Sequence, residues 1–94
     1  SGCLREYAYV EITSVDVMLS QQQDGTKLTI TPYIQNNQNR DTGILTISVK
    51  IRDPSTNLIV AKKEADIGYI KSKGFARNSV SLFVNNPGDY IVEV

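Results

Sequence analysis

The sequence predicts an all-β fold, an antiparallel sandwich of two sheets, on three observations. Apolar residues alternate with polar ones over short segments, most clearly in residues 44–53. Turn-forming residues separate these segments at intervals of roughly 8–12 residues, which is typical of the strands of a sandwich. No segment repeats its apolar residues at the 3.6-residue period of a helix. The 94 residues are enough for one such domain.

Residues 44–53 are predicted to be the central strand. Alternate positions are aliphatic, at Leu45, Ile47, Val49 and Ile51. Because successive side chains on a strand point to opposite faces, this segment has one buried face and one solvated face. Asp53 and Pro54 begin the turn that ends it, since proline presets φ and aspartate bonds its own backbone.

The chain before the central strand predicts two further strands. Residues 7–19 carry two alternating rows whose phase shifts by one near Thr13, which indicates one long strand with a bend or a bulge. After a hairpin turn, residues 27–36 form the second strand. Pro32 cannot donate a ladder hydrogen bond and so predicts an edge position or a bulge. Residues 36–43 are predicted to be a loop too polar to pack.

The chain after the central strand predicts an edge strand, a crossing between sheets, another strand and the start of a last one. These lie at residues 58–67, 67–74, 75–84 and 90–94. Lys62, Lys63 and Glu64 indicate an edge, because charges there discourage pairing with other chains. In residues 75–84, alternation places Val80, Leu82 and Val84 inward and Phe83 outward.

Two turns give the chain a resemblance to a known class of domain. The turn Pro-Gly-Asp-Tyr at residues 87–90 resembles the one that precedes the sixth strand of immunoglobulin-like domains, where a tyrosine corner is common. With Leu-Ile-Val-Ala at residues 58–61 after a Pro-Ser-Thr-Asn turn, residues 9–94 resemble immunoglobulin-like modules of archaeal cell-surface proteins, similar to CARDB-type adhesion modules. The resemblance implies an extracellular, non-catalytic module, and it carries no functional residues over.

The immunoglobulin-like sandwich is expected to lack its final strand in this chain. Related domains continue with a seventh strand after the one that begins at Tyr90, and this sequence ends at Val94. Either the protein continues or another chain supplies the strand. An open sheet edge is a template for pairing. We therefore expect a protein partner or self-association through that edge, as a homodimer or a swapped assembly.

The first three residues suggest how the protein is attached to a membrane. Ser1, Gly2 and Cys3 resemble the end of a prokaryotic lipobox, which implies a lipid anchor on Cys3 and a cell-surface location. The alternative is that they are remnants of cloning. No apolar run approaches the length of a membrane helix, so any membrane contact is expected through the anchor. We divide the chain into a flexible tether, residues 1–6, and the sandwich, residues 7–94.

The composition argues against an enzyme. The sequence has no histidine, which excludes imidazole bases and argues against most transition-metal sites. Cys3 has no neighbouring base or second thiol that would activate it. Four aspartates are explained as turn residues, namely Asp24, Asp41, Asp53 and Asp89. Ten basic and ten acidic residues are unclustered, which argues against nucleic acid. We predict no catalytic, cofactor-binding or metal-binding residues.

Aromatic side chains on outward positions are the remaining candidates for binding. They are Tyr7, Tyr9, Tyr33 and Phe83. An exposed aromatic row could bind a protein or stack a sugar, and cross-strand pairing explains it without a ligand. The predicted function is a structural, adhesive or protein-binding module of a surface-anchored protein. The alternatives are a carbohydrate-binding module that uses the tyrosines, and an accessory domain of a larger surface enzyme or transporter.

Overall fold

A computed structural model of the protein describes residues 10–85 and 90–94. These residues contain seven strands and no helix, arranged as two antiparallel sheets, which confirms the predicted all-β sandwich. The strands are β1 (Val10–Gln22), β2 (Gly25–Asn36), β3 (Leu45–Arg52), β4 (Ile59–Gly68), β5 (Phe75–Arg77), β6 (Val80–Val84) and β7 (Ile91–Glu93). Sheet 1 contains β1 and β2, with β5 and β6 both on the far side of β2. Sheet 2 has the order β4, β3, β7.

The core lies between the inner faces of the two sheets. It consists of the aliphatic residues Leu28, Ile30, Ile34, Ile47, Val49, Ile51, Ile70, Val80, Leu82 and Val84. Nine of the ten lie on β2, β3 and β6, at the alternate positions that the sequence predicts to face inward. Full burial of each such side chain contributes roughly 1.5–3 kcal/mol. The core is therefore built mainly from three strands.

The phase shift near Thr13 is a β-bulge within a single long strand. The pairing of β1 with β2 shifts between Ile12 and Ser14, so that Ile12 lies opposite Ile34 and Val15 lies opposite Pro32. The bulge absorbs one residue, so the apolar rows before and after it share the inner face of sheet 1. Every residue of β1 after Val10 is nevertheless exposed.

Pro32 occupies a position that differs from the prediction, because β2 is a central strand. Its far side pairs with β6 through residues 26–30 and with β5 through residues 33–35. Pro32 falls in the gap between these two ladders. Its missing N–H is tolerated there because that side of β2 has no partner strand at this point.

One lateral side of the sandwich is closed, where β4 lies against β6. β4 is an edge strand, as its charges predict, and Lys63 lies opposite the buried Val49, on the inner face of sheet 2. Its Nζ donates a hydrogen bond of 3.2 Å to the backbone oxygen of Ser81 in β6. An inward lysine therefore joins the two sheets along this side.

Candidate functional site

The predicted binding face is only partly within the described residues, since Cys3, Tyr7 and Tyr9 lie outside them. Tyr33 and Phe83 both lie on the outer face of sheet 1, opposite Arg77 and Lys27 respectively. Those two pairings are six positions apart along β2, which corresponds to roughly 20 Å. The structure therefore places Tyr33 and Phe83 on one face without bringing them together.

Tyr33 is half-buried among polar neighbours. Its hydroxyl donates a hydrogen bond of 3.1 Å to Oδ2 of Asp16 on β1. Beside this pair, an open depression of about 680 Å³ is lined by Arg77 and Asn78 as well. Thr31 and Ser79 share a hydrogen bond of 2.8 Å in the same depression, at the gap between β5 and β6. The site combines an aromatic ring with a carboxylate, a guanidinium group and an amide.

Phe83 covers the start of β2. Its side chain is 40% exposed, and the ring lies over Gly25, where an added Cβ would come within 2.7 Å of the ring. Aromatic side chains on a neighbouring strand commonly cover a glycine in this way. The exposed ring of Phe83 therefore has a structural role in the β1–β2 hairpin.

The second lateral side of the sandwich, between β1 and β7, is open. β7 pairs with β3 only at residues 50–52. Among residues 10–85 and 90–94, no strand pairs with residues 45–48 on this side of β3. Within the described part of the chain, the backbone of β3 at residues 45–48 is therefore a free edge in line with β7.

Next to this free edge, a groove of about 720 Å³ opens between the two sheets. We call it the groove, and it is lined by the apolar residues Val10, Ile12, Ile34, Leu45, Ile47 and Ile67. Arg40, Asp41 and Thr42 form its polar rim. Proteins that bind an extended peptide by strand addition use a free strand edge, with pockets beside it for alternate side chains of the peptide.

Asn36 holds the rim of the groove in place and is completely buried. Its Nδ2 donates to the backbone oxygens of Arg40, at 2.8 Å, and of Ile70, at 3.0 Å. A third oxygen, from Lys71, lies 3.1 Å away. Its Oδ1 accepts from the backbone N–H of Gln38 at 3.0 Å. The prediction that residues 36–43 are too polar to pack was wrong for Asn36, because this network satisfies the buried amide.

Further hydrogen bonds fasten the rim to the crossing between the sheets. The N–H of Thr42 donates to the oxygen of Ile70 at 3.0 Å, and the N–H of Ile70 donates to Oγ1 of Thr42 at 2.8 Å. Oδ1 of Asp41 accepts from the N–H of Ser72 at 2.9 Å. The rim of the groove is therefore preorganised by the fold.

Asp53 begins the turn after β3, and its carboxyl accepts hydrogen bonds within that turn. Hydrogen bonds from the hydroxyl of Ser55, at 2.7 Å, and from its backbone N–H, at 2.9 Å, lower the pKa of the Asp53 carboxyl below its usual 3.8. This is the turn role that the sequence predicts for Asp53. No three histidine, cysteine or acidic side chains in the described residues come together to hold a metal ion. No helix in that part of the chain is long and apolar enough to cross a membrane.

The comparisons with known proteins identify a family. A comparison with curated proteins finds no match. A comparison with protein families matches residues 9–94 to the family described as a domain of unknown function, DUF7490. The matched segment covers the sandwich, the groove and the depression beside Tyr33. The chain therefore belongs to the DUF7490 family.

Proposed function

We propose that the chain is a non-catalytic structural or adhesive module that binds a protein partner by accepting an extended strand in the groove. The observation that supports this most directly is the free edge at residues 45–48 of β3, beside an apolar groove. In this mode of recognition, main-chain hydrogen bonds supply affinity, and pockets for alternate side chains supply specificity.

The register of β7 indicates what such a strand would look like. Glu93 lies opposite Lys50 and Val92 lies opposite Ile51. A strand in the same line, alongside residues 45–48, would place every second side chain over Ile47 and Leu45. These two residues line the groove. The partner segment is therefore apolar at alternate positions over about four residues.

The proposal includes a location on the outer surface of a prokaryotic cell. Its support is the resemblance of Ser1, Gly2 and Cys3 to a lipobox, together with the resemblance of the domain to cell-surface modules. For the protein isolated from membranes of its native host, we expect an intact mass that includes a lipid on Cys3. An unmodified Cys3 in a soluble fraction would contradict this location.

A peptide of alternating valine and threonine tests the groove. We expect it to shift the amide resonances of residues 45–48 in a heteronuclear NMR titration and to protect them from hydrogen exchange. Ile12→Glu places a charge in the groove at a position already 44% exposed, so it should abolish these shifts and leave the fold intact. Met18→Glu is the matched control, because Met18 lies on the outer face of the same strand. Unchanged amides in β3, or equal binding by the Ile12→Glu variant, would contradict the proposal.

The depression beside Tyr33 favours carbohydrate binding as a second candidate. An aromatic ring with a carboxylate, a guanidinium group and an amide nearby is a combination that sugar sites use. Saturable binding on a glycan array that is lost in Tyr33→Ala, with the groove peptide inactive, would favour this function over the first. Glycan binding that persists in the Tyr33→Ala variant would exclude this carbohydrate site.

A further inference from the structure

We infer that β1 pairs with β1 of a second copy of this chain, so that sheet 1 continues across a symmetric dimer. This goes beyond strand binding in the groove, since it uses the free backbone edge of β1 in sheet 1, not that of β3 in sheet 2. Its partner is the chain itself. A result that contradicts one of these two proposals therefore leaves the other untouched.

Beyond the bulge at Thr13, the edge of β1 has few of the features that usually prevent edge pairing, and Asp16 is its one charged side chain there. β1 is 13 residues long, and within the described residues it pairs only with β2. Its sequence contains no lysine, arginine or proline. Five of its large apolar side chains are exposed, among them Val17 at 43%, Leu19 at 62% and Met18 at 69%. A long, apolar edge of this kind is a template for another strand.

The sequence of β1 is self-complementary about Val17. A two-fold axis perpendicular to the sheet keeps both inner faces on the same side, so each residue lies opposite one of equal orientation. With the axis at Val17, this residue faces its own copy, and Val15 faces Leu19 of the other strand. All three lie on the inner face, opposite buried residues of β2. Apolar pairs of this kind stabilise antiparallel strands.

Neighbouring registers are less favourable. An axis at Asp16 would place the two carboxylates directly opposite each other, which destabilises a strand pair. An axis at Met18 would place Val15 opposite Gln21 and leave one apolar pair fewer on the inner face. With the axis at Val17, Asp16 faces Met18, and the two Asp16 side chains are diagonal, about 7–8 Å apart. The bulge at Thr13 confines the ladder to residues 14–20.

Single cysteines test this register directly in a Cys3→Ser background. Val17→Cys should form a disulfide-linked dimer under mild oxidation, because residues directly opposite each other have Cβ atoms about 4.5–5.5 Å apart, close to the spacing of a disulfide. Leu19→Cys is the matched control. Its two copies would lie four positions apart along the strands, roughly 13 Å, and should not cross-link. Equal or faster cross-linking of Leu19→Cys would overturn the inference.

Sedimentation measures the same association without a cross-link. We expect a reversible dimer at micromolar concentrations and a dissociation constant that rises roughly tenfold or more in Val17→Lys, where two lysines would face each other. Val60→Lys is the control, because it adds the same charge at an exposed position of β4 and should leave the dimer intact. A monomer up to about 100 μM, well above the micromolar dissociation constant expected here, would overturn the inference. So would a dimer that Val17→Lys does not weaken.

Discussion

Replacing Asn36 with alanine is expected to lower the free energy of unfolding by about 3 kcal/mol. The substitution removes the amide donor to the backbone oxygen of Arg40 and one of two donors to the oxygen of Ile70, which keeps its hydrogen bond from Thr42. It also removes the acceptor for Gln38. Each buried polar group left unpaired costs about 1–3 kcal/mol. Urea denaturation followed by circular dichroism measures the change.

Asn37 provides the matched control for Asn36. It is the next residue in the chain, it is exposed, and its side chain makes one hydrogen bond of 3.3 Å, to Glu11. Asn37→Ala should therefore change the free energy of unfolding by no more than about 0.5 kcal/mol. A loss below about 1 kcal/mol for Asn36→Ala would mean that the network around the rim contributes little.

Replacing Gly25 with alanine is expected to destabilise the protein by about 3 kcal/mol or more. A Cβ at this position would overlap the backbone oxygen of Val84 and the ring of Phe83. Its φ of 154° is also one that residues with a side chain rarely adopt. The clash with Val84 involves backbone on a paired strand, so the β1–β2 hairpin or β6 would have to shift. The midpoint of thermal unfolding should fall accordingly.

Two comparisons separate this steric effect from a general cost of adding a methyl group. Gly43→Ala should be nearly neutral, because nothing lies within 4 Å of the added Cβ. Phe83→Ala removes the ring and leaves the backbone oxygen of Val84 in place. Gly25→Ala should therefore remain destabilising in a Phe83→Ala background. Full rescue in the double variant would show that the ring alone makes glycine necessary.

Most strands could be predicted from sequence because their cause is local, but residues 75–84, predicted as one strand, form the two strands β5 and β6. Alternation at Ile47, Val49 and Ile51 follows from a sheet with one buried face, and the structure buries all three. The phase shift near Thr13 likewise records a bulge within a single strand. In each case the residues that form the sequence pattern are the same residues that form the strand or the bulge.

Positions that depend on distant parts of the chain could not be predicted in the same way. Asn36 is buried because residues of the crossing segment, such as Ile70, bring backbone oxygens to it. Pro32 is tolerated in a central strand because β5 and β6 leave a gap beside it. The groove lies beside a stretch of β3 that pairs with β4 on its other side, about 20 residues away in sequence. None of these arrangements leaves a periodic pattern in the sequence.

The inward lysine of β4 has a consequence for how large an assembly can become. Sheet 1 has two edges, and Lys63 donates to a backbone oxygen of Ser81 on β6, at the edge away from β1. A further strand at that edge would have to displace a charged group that already occupies the position. Growth in both directions, which a fibre requires, is therefore opposed at one end. Pairing through β1 joins identical surfaces, so it closes after two copies and leaves no propagating end.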